Sequence, residues 1–533
     1  MKKWLVIGIL AISQFVMILD STVMNVSIST VAQDLGTTIS GMQAAITLYA
    51  LTMAAFMLTG GKLGDKWGKR NTFKIGSIIY GIGSLITALS PSLGFLLFGW
   101  SLVEGLGAVL VIPAIAALAA VNYKGKDRIQ AFAILGAVTG LAAAVGPIIG
   151  GFVTTYFSWR YVFAAETIIM IGVLFVTSKI YDSKPTGKTH IDLPSSALSA
   201  IGMSLLVFGV LQSKTWGWIQ PLSKPTINGH EIAPFGISLV AYFILAGFIV
   251  LRIFIDRQRR LENSGQTPLL KVSMLSIPVL RSGLAVLMSQ YFTIAALFFV
   301  IPVYLQVVLG YDALQTGIKL IPLSIGLIIF SIVGSRLTKI RTAKRIARLG
   351  QIALALGSLI ILSSVDVALN GALFWFGMFV VGAGFGLLAS QLGNINMSAV
   401  PAEQTSEVGG LQGTYQNLGT SFGTAIAGSV FLLALTSGFT NAIDASSLPA
   451  SAKTTIASQT SEGVAIVSQN QAKQYVVNQG GSQATADTVA SIYNDSQINA
   501  LRQALFIIFA VTLLSLLLST NLPNSLSQEK AKA

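Results

Sequence analysis

Fourteen apolar segments follow one another along this chain, and each is long enough to cross the hydrocarbon core of a bilayer as a helix. They lie at residues 4–30, 40–60, 72–90, 92–121, 128–156, 159–181, 193–214, 234–256, 281–309, 314–338, 345–364, 368–392, 405–436 and 500–520. Of the 533 residues 53% are hydrophobic and 10% are charged, too few to cover a soluble globule of this size. The sequence therefore predicts an all-α polytopic membrane protein with fourteen spans.

The distribution of lysine and arginine predicts the orientation of these spans. If the N-terminus lies inside the cell, the connections on the inner side hold 27 of the 34 basic residues. The first apolar segment has no A-x-A-like cleavage site, so we expect it to remain as the first helix. We therefore expect a multi-pass protein of the cell membrane with both termini cytoplasmic. The net charge of +14 then follows from topology and requires no nucleic-acid partner.

Two sequence patterns occur twice, eight segments apart. The second segment ends in GGKLGDKWGKR (60–70) and the tenth in VGSRLTKIRTAKR (333–345), while the fifth and thirteenth are both rich in small residues. This offset predicts a repeat of six spans with two inserted between the copies. We expect an N-terminal six-helix bundle, two inserted helices, a cytoplasmic connection, a C-terminal bundle with an extracellular insertion at 437–499, and a cytoplasmic tail. These parts lie at residues 1–182, 183–257, 258–280, 281–521 and 522–533.

Three motifs resemble those of a known family. GGKLGDKWGKR resembles the cytoplasmic turn motif of the major facilitator superfamily, and GPIIGG (146–151) resembles its antiporter motif in the fifth helix. LDSTVMNVSI (19–28) is similar to the first-helix motif of the fourteen-helix drug:proton antiporter branch. The resemblance implies a major-facilitator fold of two six-helix bundles plus two inserted central helices, a substrate path between the bundles, and multidrug efflux.

The turn motif has a physical interpretation of its own. Gly61, Gly64 and Gly68 permit a tight turn and close helix approach, and Asp65 could accept hydrogen bonds at a neighbouring helix end. The alternative is a short basic loop that only sets topology. The resemblance implies a gating contact between the halves near the inner face, made by Asp65 and Arg70.

The antiporter motif is a string of small residues. Gly146, Gly150 and Gly151 would let neighbouring backbones touch, and Pro147 removes one helical hydrogen bond and can bend the helix. A packing face is expected in any case. The resemblance additionally implies that this segment seals the protein against proton leak.

Three carboxyl groups lie well inside the apolar segments: Asp20, Glu104 and Glu166. No lysine or arginine lies deep in any span, so we expect these carboxyls to be protonated when dry and ionised when wet or facing a cation. Such groups can exchange a proton for a positively charged substrate. The alternative is a hydrogen-bonded structural carboxyl, which the resemblance favours for Glu166 because the sixth helix is peripheral in that fold.

Two observations limit the chemistry. The fourth-helix motif of the family carries an arginine four residues before the glycine that aligns with Gly105, and this sequence has Ser101 there. There are no cysteines, no catalytic His/Asp or His/Glu motif, no phosphate-binding loop and no metal-ligand cluster, so we expect no enzyme, no metal and no cofactor. The energy source is then an ion gradient.

The sequence therefore predicts a proton-coupled antiporter that exports lipophilic cationic or neutral compounds and works as a monomer. Its expected partners are a small-molecule substrate, protons and membrane lipids. One alternative is a dedicated metabolite or lipid exporter of the same fold. A second alternative is a membrane receptor or assembly partner that does not transport.

Overall fold

A computed structural model describes residues 2–123, 125–182, 192–222, 224–227, 230–338, 340–366, 369–400, 405–460 and 464–524. The described chain is almost entirely helical. Its helices are α1 (Lys2–Val26), α2 (Ile28–Asp34), α3 (Ile39–Trp67), α4 (Lys69–Ala88), α5 (Leu93–Leu96), α6 (Gly105–Asn122), α7 (Gly125–Tyr156), α8 (Arg160–Val176), α9 (Leu193–Trp216), α10 (Leu239–Asn263), α11 (Pro278–Val303), α12 (Ala313–Leu337), α13 (Ala343–Ser364), α14 (Gly371–Met397), α15 (Thr405–Ala445), α16 (Ala450–Thr460), α17 (Gln469–Asn478) and α18 (Gln483–Leu518). Each predicted span corresponds to a helix in this series, which confirms the all-α class.

Twelve helices of the described part are long and apolar enough to cross a membrane. The two other predicted spans correspond to α4 and α7. The helix α4 is 20 residues long, but it begins with Lys69 and Arg70 and carries Lys74, which lowers its hydropathy. In α7 the apolar stretch is Val145–Tyr156, which is too short to be counted among the twelve. A total of fourteen spans therefore stays a prediction.

The helices of the last two predicted spans extend beyond those spans. The helix α15 continues to Ala445 instead of ending at 436, and α18 begins at Gln483 instead of 500. The residues between are rich in Ala, Ser, Thr and Gln, which hydropathy classifies as polar although the helix can accommodate them. The hydroxyl of Ser482 caps α18 by accepting the Thr485 N–H at 3.2 Å. Within the predicted insertion at 437–499, α15 and α18 extend from the spans on either side, while α16 packs on α15 and α17 packs on α18.

Two seams join the first six long helices to the last six. In one seam α3 packs along α15, and in the other α7 packs along α12. If α3 matches α12 and α7 matches α15, as the repeat predicts, each seam is the symmetry counterpart of the other. The seams are tight: the Gln43 amide donates to the carbonyls of Thr424 at 3.1 Å and Ala425 at 3.2 Å. A Cβ on Gly317 would lie 2.3 Å from the carbonyl oxygen of Pro147.

The inserted helices α9 and α10 pack against each other, and α9 also contacts both α3 and α15. The hydroxyls of Thr59 and Ser196 lie 3.0 Å apart, which joins α3 to the start of α9. The Ser429 hydroxyl donates to the carbonyl of Val210 at 3.1 Å, which joins α15 to the other half of α9. The inserted pair therefore lies over the α3–α15 seam, and α9 touches both sides of it.

An ion pair joins the two inserted helices at one end. Asp192 caps α9, accepting the Ser195 N–H at 3.2 Å, and its two oxygens accept from Arg257 Nε at 2.6 Å and Nη2 at 2.7 Å. The Arg257 guanidinium lowers the pKa of Asp192 to about 2. Asp192 is therefore ionised throughout the neutral range, and α9 and α10 are held together where they meet the connection to α11.

We expect Asp192→Ala to lower the free energy of unfolding by about 2 kcal/mol, because it removes a helix cap and a partly exposed ion pair. Since the folded-state pKa is depressed, this contribution is complete above the unfolded-state value of about 3.9 and is lost as pH falls towards about 2. The loss should therefore be constant between pH 5 and 8. Denaturation in detergent micelles measures it.

The control is Thr342→Ala, which removes the cap of α13, where the Thr342 hydroxyl accepts the Arg345 N–H. It should cost about half as much, because no ion pair is lost. Equal losses in the two variants would mean that the pair with Arg257 contributes nothing.

Candidate functional site

Asp20 lies in α1 and its side chain is fully buried. Its Oδ1 accepts a hydrogen bond from the indole Nε1–H of Trp100 at 2.8 Å. Its Oδ2 is buried without a hydrogen-bond partner. The indole ring of Trp100 in turn stacks on Tyr49 of α3, with centroids 4.7 Å apart and planes 8° from parallel. The side chain of Asp20 thus lies next to α3 and the span that carries Trp100.

Glu104 is placed by an irregular stretch of helix. Residues Leu97–Glu104 form a π-helical segment that joins α5 to α6 without a break. Such segments in membrane and soluble helices often occur at functional sites. A Cβ on Gly83 of α4 would lie 2.5 Å from the backbone nitrogen of Glu104, so α4 can pack this closely only because position 83 is a glycine.

Glu166 comes from α8 and reaches the same place. Its Oε2 lies 3.4 Å from the donating hydroxyls of both Tyr80 and Ser84, which lie one turn apart on α4. Its Oε1 is buried without a partner. The sixth span, α8, which the resemblance implies is peripheral, thus contributes a carboxyl group to the interior of the first six spans.

The three carboxyl groups form one cluster. One oxygen from each of Asp20, Glu104 and Glu166 lies within 4.8 Å of the others, and all three side chains are buried. Both oxygens of Glu104 lack a hydrogen-bond partner. In the described part of the chain no lysine or arginine forms an ion pair with any of the three. Three unpaired negative charges at this separation would repel strongly at low dielectric, so this conformation requires bound protons or a cation.

The sequence analysis identified the carboxyl groups but missed their hydrogen-bond donors: Trp100, Tyr80 and Ser84. The spacing of Tyr80 and Ser84 is a usable signal, because residues four apart share one face of a helix. Trp100 likewise precedes Glu104 by four residues. Ser101, which stands where the family has an arginine, donates its hydroxyl to the carbonyl of Ala45 at 2.8 Å and does not reach the cluster.

The GPIIGG motif lies between α1 and α12. A Cβ on Gly146 would overlap the Thr22 hydroxyl, and one on Gly150 would lie 2.9 Å from Val23 Cα. On the other side, a Cβ on Gly151 would lie 2.6 Å from the carbonyl oxygen of Ala313. The helix α7 continues through Pro147 to Tyr156. The motif therefore lets α7 contact both the turn of α1 that follows Asp20 and the opposing half of the molecule.

We expect Gly150→Ala and Gly151→Ala each to destabilise the protein by about 1–3 kcal/mol, because the added methyl meets backbone atoms that cannot move aside. Gly172→Ala is the matched control, since a Cβ there meets nothing within 4 Å and alanine favours the helix. Thermal unfolding in detergent measures all three. A loss for Gly172→Ala as large as for the motif glycines would contradict the packing argument.

The GGKLGDKWGKR motif forms the junction of α3 and α4. Gly68 adopts a left-handed backbone with φ of 90°, and Asp65 lies in the last turn of α3. The Arg70 N–H donates to Asp182 at 3.0 Å and its guanidinium to the carbonyl of Ile180 at 3.3 Å. These bonds of Arg70 stay within the first half. A Cβ on Gly61 or on Gly64 would meet nothing within 4 Å, so the structure gives no packing reason for either glycine.

A different residue of the motif reaches the other half. Lys62 Nζ lies 3.4 Å from Glu407 Oε1 of α15, and Lys271 Nζ of the connection before α11 lies 3.2 Å from the same oxygen. Glu407 therefore links α3, α15 and the connection. Opening the molecule at this face would separate Lys62 from Glu407.

We expect Glu407→Gln to weaken this face. Because the chain contains no cysteine, Met57→Cys and Gly413→Cys can report on the seam, where a Cβ at 413 would lie 3.0 Å from Met57 Cγ. Loss of a partly exposed ion pair of about 1 kcal/mol should slow cross-linking of this pair about three- to fivefold.

The control is Asp256→Asn, which breaks the ion pair of Asp256 with Arg252 inside the single helix α10. It should leave the cross-linking rate unchanged. Equal rates in the Glu407→Gln and unmodified backgrounds would show that the bridge does not hold the seam.

Comparisons with known proteins bear on the whole chain. The family model of the Major Facilitator Superfamily matches residues 10–424. The probable actinorhodin transporter of Streptomyces coelicolor is 27% identical over 83% of this chain and 75% of its own length. The methyl viologen resistance protein SmvA of Salmonella typhimurium is 25% identical over 80% of this chain and 82% of its own length.

One solved structure reproduces the fold. The bacterial homologue of the human lysosomal transporter Spinster, in an inward-facing and unoccupied conformation, superposes with a TM-score of 0.62 over 97% of both chains at 13% identity. At that identity the likeness concerns the fold alone. It confirms the predicted architecture of helices.

Proposed function

Because the chain belongs to the Major Facilitator Superfamily, which makes it a multi-pass membrane transporter of small molecules and not an enzyme, we propose that it is a proton-coupled antiporter. It exports lipophilic cationic or neutral compounds, as multidrug efflux proteins do, and the proton gradient drives it without a cofactor. The observation that carries the proposal is the cluster of Asp20, Glu104 and Glu166.

The cluster supports coupling for a physical reason. Carboxyl groups buried without a cation hold protons, whereas the same groups ionise when water enters. A transporter that exposes them alternately to the two sides of a membrane would take up protons on the acidic side and release them on the other. An ionised cluster attracts a cation and a protonated one does not, so proton uptake expels a cationic substrate.

The charge of the cluster also supports the substrate class. Among the described residues, no lysine or arginine forms an ion pair with the cluster, so an anionic substrate would find no buried partner there. One relative is named for resistance to methyl viologen, which is a cation. The stacked rings of Tyr49 and Trp100 next to Asp20 add aromatic surface of the kind that attracts cations.

A dedicated metabolite or lipid exporter of the same fold is the second candidate. It is favoured by the relative named as a transporter of one compound, actinorhodin. Membership of a transporter superfamily argues against a receptor that does not transport.

The remaining parts of the proposal concern placement and assembly. The protein lies in the cell membrane with both termini cytoplasmic and works as a monomer. The concentration of basic residues on one set of connections supports this orientation. The division at residues 1–182, 183–257, 258–280, 281–521 and 522–533 is kept as part of the proposal, although residues 183–191 and 525–533 lie outside the described chain.

The test is transport of ethidium, a lipophilic cation, by purified protein in liposomes under an imposed pH gradient. We expect gradient-driven transport by the wild type, a loss of at least tenfold for Asp20→Asn, and a smaller loss for Glu104→Gln and Glu166→Gln, which keep a neutral polar group but cannot release a proton. Asp312→Asn is the control, because Asp312 only caps α12 and asparagine retains the cap.

The possible results separate the candidates. Transport of an anionic dye but not of ethidium would reject the cationic substrate class. Ethidium transport that is equal in Asp20→Asn and the wild type would reject Asp20 as the coupling group. If neither dye moves in the wild type, the multidrug proposal fails and a dedicated exporter takes its place.

A further inference from the structure

Two specific contacts hold the indole ring of Trp100 in place, and one of them is a hydrogen bond to Asp20. The Trp100 side chain is 1% exposed. The Nε1–H donates to Asp20 Oδ1 at 2.8 Å, and the face of the ring stacks on Tyr49. No motif of the family discussed above includes Trp100.

The chemistry of the indole restricts what Asp20 can do. An indole N–H donates a hydrogen bond and cannot accept one, so Oδ1 is an acceptor whether Asp20 is ionised or protonated. The exchangeable proton is then favoured on Oδ2, because the carbonyl oxygen of a protonated carboxyl is a better acceptor than its hydroxyl oxygen, and Oδ2 has no partner in the described part of the chain. A donor that bonds to a carboxylate also stabilises the ionised form relative to the protonated form.

The other carboxyl groups around Asp20 act in the opposite direction. Glu104 of the π-helical segment and Glu166 of α8 are like charges when ionised, and the tyrosines Tyr49 of α3 and Tyr80 of α4 add no positive charge. Next to Asp20 the residues of α7 that pack on α1 include Gly146, Gly150, Ile149 and Val153, none of which titrates. Full burial further opposes ionisation. Trp100 donates to Asp20 Oδ1 at 2.8 Å, and Tyr49 is a second side chain placed to donate to Asp20.

We propose that Trp100 is a positioning residue that holds Asp20 by Oδ1, keeps its exchangeable proton on Oδ2, and lets that proton leave at a pH where it would otherwise stay bound. This inference rests on the proposed function, in which Asp20 exchanges protons. It assigns a tuning role to a residue that touches neither the proton nor, by any contact described above, the substrate.

The structure offers a matched control in Trp159. This indole is also buried, at 2% exposure, and its Nε1–H donates to Asp34 Oδ2 at 2.9 Å. The ring also packs on an aromatic neighbour, Phe163, with centroids 5.8 Å apart. Asp34 is paired with Arg160 and lies outside the carboxyl cluster. Trp159→Phe therefore removes the same kind of bond without affecting Asp20.

The experiment measures the protonation of Asp20 directly. A hydrophobic carbodiimide modifies protonated carboxyl groups. The full-length protein is labelled at each pH and then digested, and mass spectrometry quantifies the modified peptide that contains Asp20. In Trp100→Phe, which keeps a ring for stacking but has no N–H, labelling of Asp20 should persist to a pH about one unit higher than in the wild type. Trp159→Phe should leave the labelling curve unchanged.

Ethidium transport across the same pH range completes the test. A shift of the transport profile in the same direction as the labelling curve, in Trp100→Phe alone, supports the proposal. An unshifted labelling curve in Trp100→Phe overturns it, even if transport is slower. If the labelling curve shifts while the wild type transports nothing, Trp100 tunes Asp20 but the proposed function fails, so the two failures are distinguishable.

A measurement on the unmodified side chain covers the case in which Trp100→Phe does not fold. Infrared difference spectra between high and low pH report the indole N–H, whose hydrogen bond to a carboxylate is stronger than to a neutral carboxyl. We expect a change in the indole band of the wild type that Asp20→Asn abolishes, because asparagine accepts a bond but does not titrate. An indole band that does not change with pH, or one that changes equally in Asp20→Asn, overturns the proposal.

Discussion

Burial of three carboxyl groups without a nearby cation is the constraint on which the rest of this structure depends. Asp20, Glu104 and Glu166 come from three different spans and meet in the interior of the first six spans. An uncompensated charge in such a place is costly, so the protonation of the cluster and the exposure of the cluster to water are linked. Any motion of the surrounding helices that admits water changes the charge of the site.

Because the helices around the carboxyl cluster are closely packed, we expect such a motion to move whole helices. Glycines at 83, 146, 150, 151 and 317 lie at positions where neighbouring helices approach too closely for a side chain. The GPIIGG motif contacts α1 just after Asp20 on one side and α12 of the other half on the second side. The turn of α1 that follows Asp20 and the α7–α12 seam therefore contact the same short segment of α7.

The two seams are not equivalent despite the repeat. The inserted pair α9 and α10 lies over the α3–α15 seam, where α9 bonds to Thr59 on one side and to Ser429 on the other. The bridge from Lys62 through Glu407 to Lys271 joins the same seam near the connection that follows α10. The insertion thus adds contacts across the α3–α15 seam, and separation of the halves at that seam requires α9 to lose contact with one of them.

Hydropathy, charge distribution and short motifs determined the fold class, the positions of the spans and the identity of the three carboxyl groups, because burial in lipid demands long apolar helices and makes each intramembrane charge conspicuous. The extensions of α15 and α18 beyond the predicted spans were not predicted, because the polar residues of these extensions carry no apolar signal. Only the tertiary structure placed Glu166 beside Asp20 and gave Trp100, Tyr80 and Ser84 their roles, since these contacts join residues about 80 positions apart. It also placed Lys62 in an ion pair with Glu407 of the other half, while the bonds of Arg70 to Asp182 and Ile180 stay within the first half, because a linear pattern does not specify which helices are neighbours.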